Sequence, residues 1–317
     1  MKKLLFKCAL LALLVGAVLY GGGAAYKQTN AYRNLERTEE TEKFHELPDQ
    51  VDIAVVGSSH GRDAFKFPPE EKVLFNFSMS AQTPQYDLAM LRQFQDRVRP
   101  GGLVILTVSY LSPYWTDTEK TFQDKQPRYY RVLSPGNIVD VDLGRYWLGR
   151  LSPVLALEPQ DLVSAFLVRQ ELIPAADEQF GHKQLLAEKI ADEQSRIQRD
   201  HWSVISPVYP DVNPVMWDAY HEISDLCREK GWNAVLVTPP YPAEYNAGFP
   251  EGFYESFLLR METLSQECGI PYLDYSHDPA FAERYDFYRN IDHLNLEGAA
   301  VFNQQFFADI QSLELCQ

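Results

Sequence analysis

Positive charge is scarce in this chain of 317 residues, which carries 29 Lys and Arg against 44 Asp and Glu and a formal net charge of -15. Proteins that bind nucleic acid hold its phosphates with clustered Lys and Arg side chains. The composition therefore argues against a nucleic-acid partner. The excess of acidic residues is most simply a means to solubility.

Cysteines and cofactor motifs are also few. The four cysteines, at positions 8, 227, 268 and 316, form no CxxC pair and have no histidine at zinc-finger spacing. The chain has no P-loop, no dinucleotide fingerprint and no metal-spaced cluster of His and Asp, so we predict no cofactor and no metal. A bridge between Cys227 and Cys268 cannot be judged without geometry, and the cysteines are expected to be structural.

The one basic cluster directly precedes a long apolar run. Lys2, Lys3 and Lys7 are followed by an uncharged segment from Cys8 to Tyr26. At about 1.5 Å per residue this segment nearly crosses a hydrocarbon core of roughly 30 Å, and the lysines place the N-terminus in the cytoplasm. A cleaved signal peptide is the alternative, with small residues at 23–25. The run is longer than a usual signal core, which favours a retained anchor.

The remaining sequence divides into a polar stalk over residues 27–50 and a folded domain over 51–317. Apolar runs typical of buried strands alternate with amphipathic segments typical of helices. Since parallel strands need crossover connections, this alternation predicts an α/β fold with a parallel sheet. The predicted strands cover 52–57, 73–77, 103–108, 233–238 and 271–275. The predicted helices cover 84–98, 215–230, 253–268 and 295–313.

The alternation stops between about 110 and 213, where the chain is rich in Tyr, Trp, Pro and Leu. This segment is predicted to be a largely helical insertion. Two roles remain open for it: a lid or platform over the site, or additional core.

Two segments carry residues suited to nucleophilic catalysis. The first predicted strand ends in Gly-Ser-Ser-His-Gly, which places Ser59 at the carboxyl end of a parallel strand, where open α/β sheets build their sites. This pattern alone is equally typical of a helix cap. His293 lies in a polar loop before the last predicted helix. Serine needs a neighbouring imidazole to take its proton, and Ser59 and His293 fit these two roles. His60 is expected at the surface or in a turn.

These segments resemble the sequence blocks of the SGNH (GDSL-like) hydrolases. The segment around Ser59 resembles block I, Asn76-Phe-Ser-Met-Ser-Ala-Gln-Thr83 is similar to block II, and Asp292-His-Leu-Asn resembles block V. The resemblance implies a flavodoxin-like three-layer sandwich in which Ser59 is the nucleophile and His293 its base. It also implies that the backbone amides of Ser59 and Ala81 bind the oxyanion. The branch most similar to this chain is membrane-anchored and extracytoplasmic. It includes the D-alanyl transfer protein of lipoteichoic acid synthesis and alginate O-acetylation proteins.

The chain departs from the family pattern at three positions. Ala81 stands where block II has glycine, and the asparagine of block III is missing, so Ser109, Tyr110 or a backbone group has to replace that oxyanion donor. The acid that orients the histidine lies three residues before it in the family, where this chain has Asn290. Spacing favours Asn290 for that role and charge favours Asp292, so both are candidates.

The resemblance implies a serine esterase or O-acyltransferase outside the cell, acting on an envelope glycan or a lipid-linked acyl substrate beside the bilayer. A membrane-bound O-acyltransferase is a candidate partner. The missing donors also suggest an alternative, a catalytically weak protein that binds glycan or docks onto such a transferase. A phosphodiesterase is disfavoured because neither motif contains a basic cluster.

Overall fold

A parallel sheet of five strands organises the larger part of the chain. The computed structural model describes residues 1–115, 126–157, 159–168, 170–313 and 315. The strands lie in the order β2-β1-β3-β4-β5, all parallel. Their bounds are β1 Val51–Val56, β2 Leu74–Asn76, β3 Val98–Thr107, β4 Asn233–Thr238 and β5 Tyr272–Asp274. The predicted α/β class with a parallel sheet is confirmed. A separate antiparallel pair is formed by β6 Tyr288–Asn290 and β7 His293–Leu294.

Helices make up most of the remaining described structure. Their bounds are α1 Lys2–Lys27, α2 Asn30–Thr38, α3 Ser59–Ala64, α4 Pro84–Gln93, α5 Tyr129–Val132, α6 Leu143–Leu151, α7 Pro159–Leu167, α8 Ala176–Phe180, α9 Ile190–Arg196, α10 Ser203–Ile205, α11 Pro214–Lys230, α12 Ala243–Asn246, α13 Phe253–Cys268, α14 Pro279–Ala282 and α15 Leu296–Ser312. A π-helix covers Ile197–Trp202. Short 3-10 turns cover Glu42–Glu46, Gln95–Arg97, Gln126–Arg128, Pro135–Asn137, Pro153–Ala156, Ala187–Lys189 and Tyr285–Phe287.

The chain divides into two compact units. The first contains Met1–Glu46 and Gln126–Ala175, and the second contains Leu47–Lys125 and Ala176–Gln317. The predicted insertion is therefore shared between them. Its described residues from 126 onward are largely helical, whereas residues 110–114 form turns. Residues 116–125 lie outside the described residues, as does Cys316. The stalk carries a helix, α2, that is bound within the first unit: the Asn34 side chain donates to the carbonyl of Glu171 at 2.9 Å.

The second unit places its chemistry at one edge of the sheet. The order 2-1-3-4-5 reverses direction between β1 and β3, and ligands of doubly wound sheets bind beyond the carboxyl ends of the strands at such a reversal. Strand β1 is buried from end to end except at Asp52, as expected for a strand covered on both faces. Ser58 and Ser59 follow β1 at this edge.

The first unit contains α1, which is long and apolar enough to cross a membrane. Its length of 26 residues corresponds to about 39 Å at 1.5 Å per residue. In the second unit, Cys227 and Cys268 are buried and unpaired.

A buried carboxyl group links α4 to the turn that follows β1. Asp87 is 2% exposed and accepts a hydrogen bond from the Gln82 side chain at 2.7 Å and another from the backbone of Gly57. Burial raises the pKa of Asp87 to about 8, although both hydrogen bonds lower it. The native protein therefore keeps this proton at pH values where the unfolded chain has lost it.

We expect Asp87→Asn to change the pH dependence of stability. Because the native pKa of Asp87 is raised, the free energy of unfolding of the wild type should fall by up to about 1.4 kcal/mol per pH unit between pH 4 and 8. Asparagine does not titrate, so the free energy of unfolding of the variant should rise relative to that of the wild type as pH rises. Urea denaturation at pH 5 and 7 measures this. Asp218→Asn, at an exposed position of α11, is the control. Parallel pH dependences for wild type and Asp87→Asn would contradict the account.

Candidate active site

A sharp turn after β1 positions Ser59. Gly57 has a φ of +142°, and a Cβ at this position would lie 2.8 Å from the carbonyl oxygen of Thr107, so only glycine lets β1 and β3 approach so closely here. A Cβ at Gly61 would lie 2.6 Å from the Thr107 hydroxyl. Helix α3 can therefore lie directly against the end of β3, with Ser59 in its first turn.

Asn76, the last residue of β2, holds α3 from the other side. Its amide donates to the carbonyls of Gly61 and Phe65, both at 2.9 Å, and its carbonyl accepts from the backbone N–H of Ser78 at 3.0 Å. The Gly61 carbonyl also accepts from the Phe65 N–H at 3.2 Å, so the Asn76 amide adds a second bond there and supplies a partner for Phe65 just after the helix. The segment that begins at Asn76 thus positions helix α3 as well as the loop that carries Ala81.

A tight hairpin carries His293. The register of β6 and β7 pairs Asn290 directly with His293, so a spacing of three residues brings their side chains together across two strands. Helix α15 follows at once. A Cβ at Gly298 would lie 2.2 Å from the Phe287 carbonyl oxygen, so glycine allows the helix to approach the hairpin. Asn295 caps α15 by accepting from the Gly298 N–H at 2.9 Å.

The structure brings together Ser59, His293, Asn290 and Asp292. The His293 Nε2 atom lies 2.8 Å from the Ser59 hydroxyl oxygen. Its Nδ1 atom lies 3.1 Å from the Asn290 side-chain oxygen and 3.1 Å from an Asp292 carboxylate oxygen. Ser59 and His293 are half-buried, whereas Asp292 is 2% exposed. The arrangement is that of a nucleophile, a base and an orienting group.

Three further side chains surround the Asp292 carboxylate, and sequence reasoning missed all of them. The Arg196 guanidinium donates to the oxygen that faces His293. The Nε2 atoms of His60 and His201 face the other oxygen at 3.5 and 3.4 Å, at the outer limit for a hydrogen bond. Asp292 is thus the meeting point of three separate segments of the second unit.

The π-helix explains how Arg196 and His201 reach the same carboxylate. Residues five apart point in different directions on an α-helix, at 3.6 residues per turn. The wider i to i+5 turn of a π-helix brings them nearly over one another, and π turns are frequent at functional sites. Arg196 ends α9, and His201 lies within the π-helix Ile197–Trp202. No sequence pattern signals this change of helix type.

Burial and charge act in opposite directions on the site. Burial by itself would raise the pKa of Asp292. The charge and the hydrogen bond of His293 oppose burial most strongly, and with the hydrogen bond of His60 and the charge of His201 they lower the pKa well below its usual range. Burial lowers the pKa of His60, although Asp292 opposes the shift, and lowers that of His201 to about 4 for the same reason. Asp292 is therefore ionised at neutral pH, while His60 and His201 are neutral.

His60 was expected at the surface or in a turn, and that expectation is wrong, since it lies in helix α3 and is buried. The residue is 5% exposed, and its ring stacks on that of His293 with centroids 4.7 Å apart. Its Nδ1 atom lies 3.2 Å from the Ser58 hydroxyl. Tyr241 packs edge-on against the ring at 5.4 Å, and the Tyr245 hydroxyl lies 3.1 Å from His201 Nδ1. Aromatic rings thus hold both buried histidines in place.

The predicted oxyanion donors divide into two pairs. In the described part of the chain, no acceptor bonds the backbone N–H of Ser59 or Ala81, so both amides are available. The amide of Ser109 instead donates to the Ser112 hydroxyl at 3.0 Å, and the Tyr110 hydroxyl donates to Asn246 at 3.0 Å. Both groups are engaged in the loop after β3 and its neighbours, and the role proposed for them stays a prediction.

Basic side chains gather near the site despite the absence of a basic motif in the sequence. Arg62 donates two hydrogen bonds to the Asp63 carboxylate, at 2.8 and 2.9 Å, and Arg289 forms an ion pair with the same group. Burial would raise the pKa of Asp63, but the two arginines bring it well below its usual range. Asp63 lies one helical turn after Ser59. Arg62 neighbours Asp63 in the sequence, whereas tertiary structure brings Arg289 to the same carboxylate.

One group of side chains has the spacing of a metal site. His60, Asp292 and His293 each offer one ligand atom, and these atoms lie within 4.8 Å of one another. The Arg196 guanidinium on Asp292 would repel a cation, and His293 is bonded to Ser59. The geometry fits a proton relay better than a metal centre. The prediction of no metal stays a prediction.

Sequence comparison adds no family assignment. No protein-family model matches the chain. No curated protein matches it either.

Ala81 adopts a φ of +51°, a left-handed conformation that costs a residue with a Cβ about 1 kcal/mol. We expect Ala81→Gly to leave stability unchanged or to raise it by up to about 1 kcal/mol, since glycine removes this strain. Ala300→Gly, at an exposed position of α15, is the matched control and should destabilise by roughly 1 kcal/mol. Urea denaturation compares the two variants, and equal destabilisation would argue against strain at Ala81.

Proposed function

We propose that this protein is an extracytoplasmic serine esterase or O-acyltransferase of the SGNH type, acting on acyl esters of an envelope glycan or a lipid-linked substrate. One observation carries the proposal: the Ser59 hydroxyl lies 2.8 Å from His293 Nε2, while His293 Nδ1 lies 3.1 Å from the ionised Asp292. A serine becomes a strong nucleophile when a positioned imidazole accepts its proton.

The proposed reaction has two steps. The Ser59 oxygen attacks the carbonyl carbon of an ester or thioester as its proton passes to His293 Nε2. The carbonyl oxygen then carries negative charge, which the amides of Ser59 and Ala81 stabilise. The bond to the leaving group breaks, and His293 returns the proton to that group. Water or a sugar hydroxyl then attacks the acyl-serine and gives its proton to His293. The bond to the Ser59 oxygen breaks, and His293 returns the proton to that oxygen.

Asp292 and Asn290 have different roles in this scheme. Both can accept the His293 Nδ1–H and hold the tautomer that leaves Nε2 free to accept a proton. Only Asp292 can stabilise the imidazolium that forms. Because Arg196 contacts the same Asp292 oxygen, it fixes the carboxylate and also shares its charge. We therefore assign the orienting acid to Asp292 and a supporting role to Asn290.

The substrate class follows from the first thirty residues. A chain anchored by α1 acts beside the bilayer, where tethering raises its effective concentration towards envelope and lipid-linked substrates. The lysines before the apolar run favour a cytoplasmic N-terminus and an extracytoplasmic second unit. A membrane-bound O-acyltransferase that supplies the acyl group fits the same location.

A second candidate function is a catalytically weak SGNH-like protein that binds glycan or docks onto such a transferase. It is favoured by the engagement of Ser109 and Tyr110 away from the oxyanion role. The two candidates differ in the cell: the double variant Ser59→Ala, His293→Ala should fail to complement a deletion strain if the protein is an enzyme. Full complementation would support the docking function.

The nucleophile can be tested with a fluorophosphonate probe, which labels activated serines. We expect the wild type to be labelled and Ser59→Ala to be unlabelled, because the Ser59 hydroxyl lies within hydrogen-bond distance of His293. Ser58→Ala is the matched control. It should retain labelling, since the Ser58 hydroxyl faces His60 instead. Labelling of Ser59→Ala by gel fluorescence would overturn the assignment.

The orienting acid can be tested by kinetics on a chromogenic acetyl ester. Asp292→Asn should lower kcat by about a thousandfold or more, because the neutral amide cannot stabilise the imidazolium. Asn290→Ala should lower kcat by no more than about tenfold, because it removes one hydrogen bond between neutral groups. KM should change little in either variant. A larger loss in Asn290→Ala than in Asp292→Asn would reverse the two roles.

A further inference from the structure

The first unit exposes large apolar side chains on two helices that flank its contact with α1. On α6 they lie at positions 143, 147, 148 and 151, and at 100° per residue they occupy one face. The same holds for positions 162, 163, 166 and 167 of α7. We call these eight residues the apolar faces. Their side chains are 39 to 79% exposed, namely Leu143, Trp147, Leu148, Leu151, Leu162, Val163, Phe166 and Leu167.

Such exposure is unusual for a surface in contact with water. Contiguous apolar surface beyond a few hundred Å² marks an interaction site in soluble proteins. The opposite side of α6 is packed within the unit: Tyr146 is 5% exposed and its hydroxyl donates to the Leu133 carbonyl at 3.2 Å. The helix is therefore held in a fixed orientation, with its apolar face outward.

The segment between the two helices is bound to the membrane-type helix α1. The Ser152 hydroxyl donates to the Leu19 carbonyl at 2.8 Å. A Cβ at Gly23 would lie 2.7 Å from the Ser152 hydroxyl and 3.2 Å from Pro153, so glycine makes this close approach possible. The contact fixes the depth of this segment relative to α1.

That depth matches the membrane interface. The apolar run of α1 ends at Tyr26, and residues 19 to 23 lie three to seven residues before that end, roughly 5–10 Å along the helix. Interfacial helices bury their apolar faces about 5–10 Å into the boundary between headgroups and acyl chains. Trp147, with Arg145 and Arg150 on the same helix, supplies residue types that are enriched at this level.

We propose that α6 and α7 lie in the plane of the membrane interface beside α1, with their apolar faces buried among phospholipid acyl chains. The first unit is then an embedded platform and not only a single span. The proposal requires that α1 lies in the bilayer and is independent of the chemistry at Ser59. The observation that favours lipid over a protein partner is the contact with α1: the Phe166 ring centroid lies 6.1 Å from that of Tyr26, and Ser152 bonds Leu19.

Trp147 provides a direct test, because the other four tryptophans, at 115, 202, 217 and 232, belong to the second unit. The full-length chain is reconstituted into phospholipid vesicles in which some lipids carry bromine, a fluorescence quencher, near the glycerol end or at the tip of the acyl chain. We expect loss of emission in the wild type, greater with the shallow bromine. Trp147→Phe should abolish this loss, and the control Trp217→Phe should retain it.

The alternatives give different results. If aqueous acrylamide quenches the Trp147 emission and brominated lipid does not, the apolar faces lie in water. That result would overturn the proposal. Shielding from both quenchers would indicate contact with protein and would also overturn it. A fluorophore on Cys8, with Cys316 replaced by serine, reports on α1 separately. If lipid quenches neither reporter, α1 itself lies outside the bilayer and the proposal fails at its premise.

Discussion

The carboxylate of Asp292 is almost completely withdrawn from water, and the geometry of the candidate site depends on its surroundings. A buried charge is costly unless it is paired and hydrogen-bonded. Here Arg196 supplies the opposite charge, and the contact with Asp292 orients the His293 ring. The rings of His60 and His201 lie against the other carboxylate oxygen. These contacts tie the β6–β7 hairpin, helix α3 and the π-helix to one another within the second unit.

The same arrangement separates the roles of three histidines. Burial keeps His60 and His201 neutral, so they offer polar contacts without adding charge. His293 is half-buried and bonded to Ser59, where proton exchange with a substrate is possible. The stacked ring of His60 restricts the His293 imidazole to one orientation. Catalysis by a serine depends on such restriction, because a small displacement of the base weakens proton transfer.

Much of the fold could be predicted because the signals are local. The strand at 233–238 and the helix at 253–268 have the predicted bounds, since apolar runs, Gly231 and Gly269 mark their limits. Helix α4 ends at Gln93, five residues before the predicted end, because Gln95–Arg97 turns into β3. The polar composition of residues 27–50 gives no sign of burial, yet Glu36 is 7% exposed. Glu36 pairs with His45 within the stalk, but Asn34 bonds Glu171 and Ile173, far along the chain, and no local pattern reveals those contacts.

Local sequence is enough to predict the strand–helix alternation and the apolar N-terminal helix. It also marks a serine after β1 and a histidine before the last helix as candidate residues. Each of these is encoded within a few consecutive residues. Only the tertiary structure decided that Asn290 and Asp292 both reach His293, that Arg196 and His201 complete the site, and that Ala81 adopts a left-handed conformation. These features arise from close approach between distant segments and from a change of helix type. Neither produces a periodic pattern in the sequence from which it could be predicted.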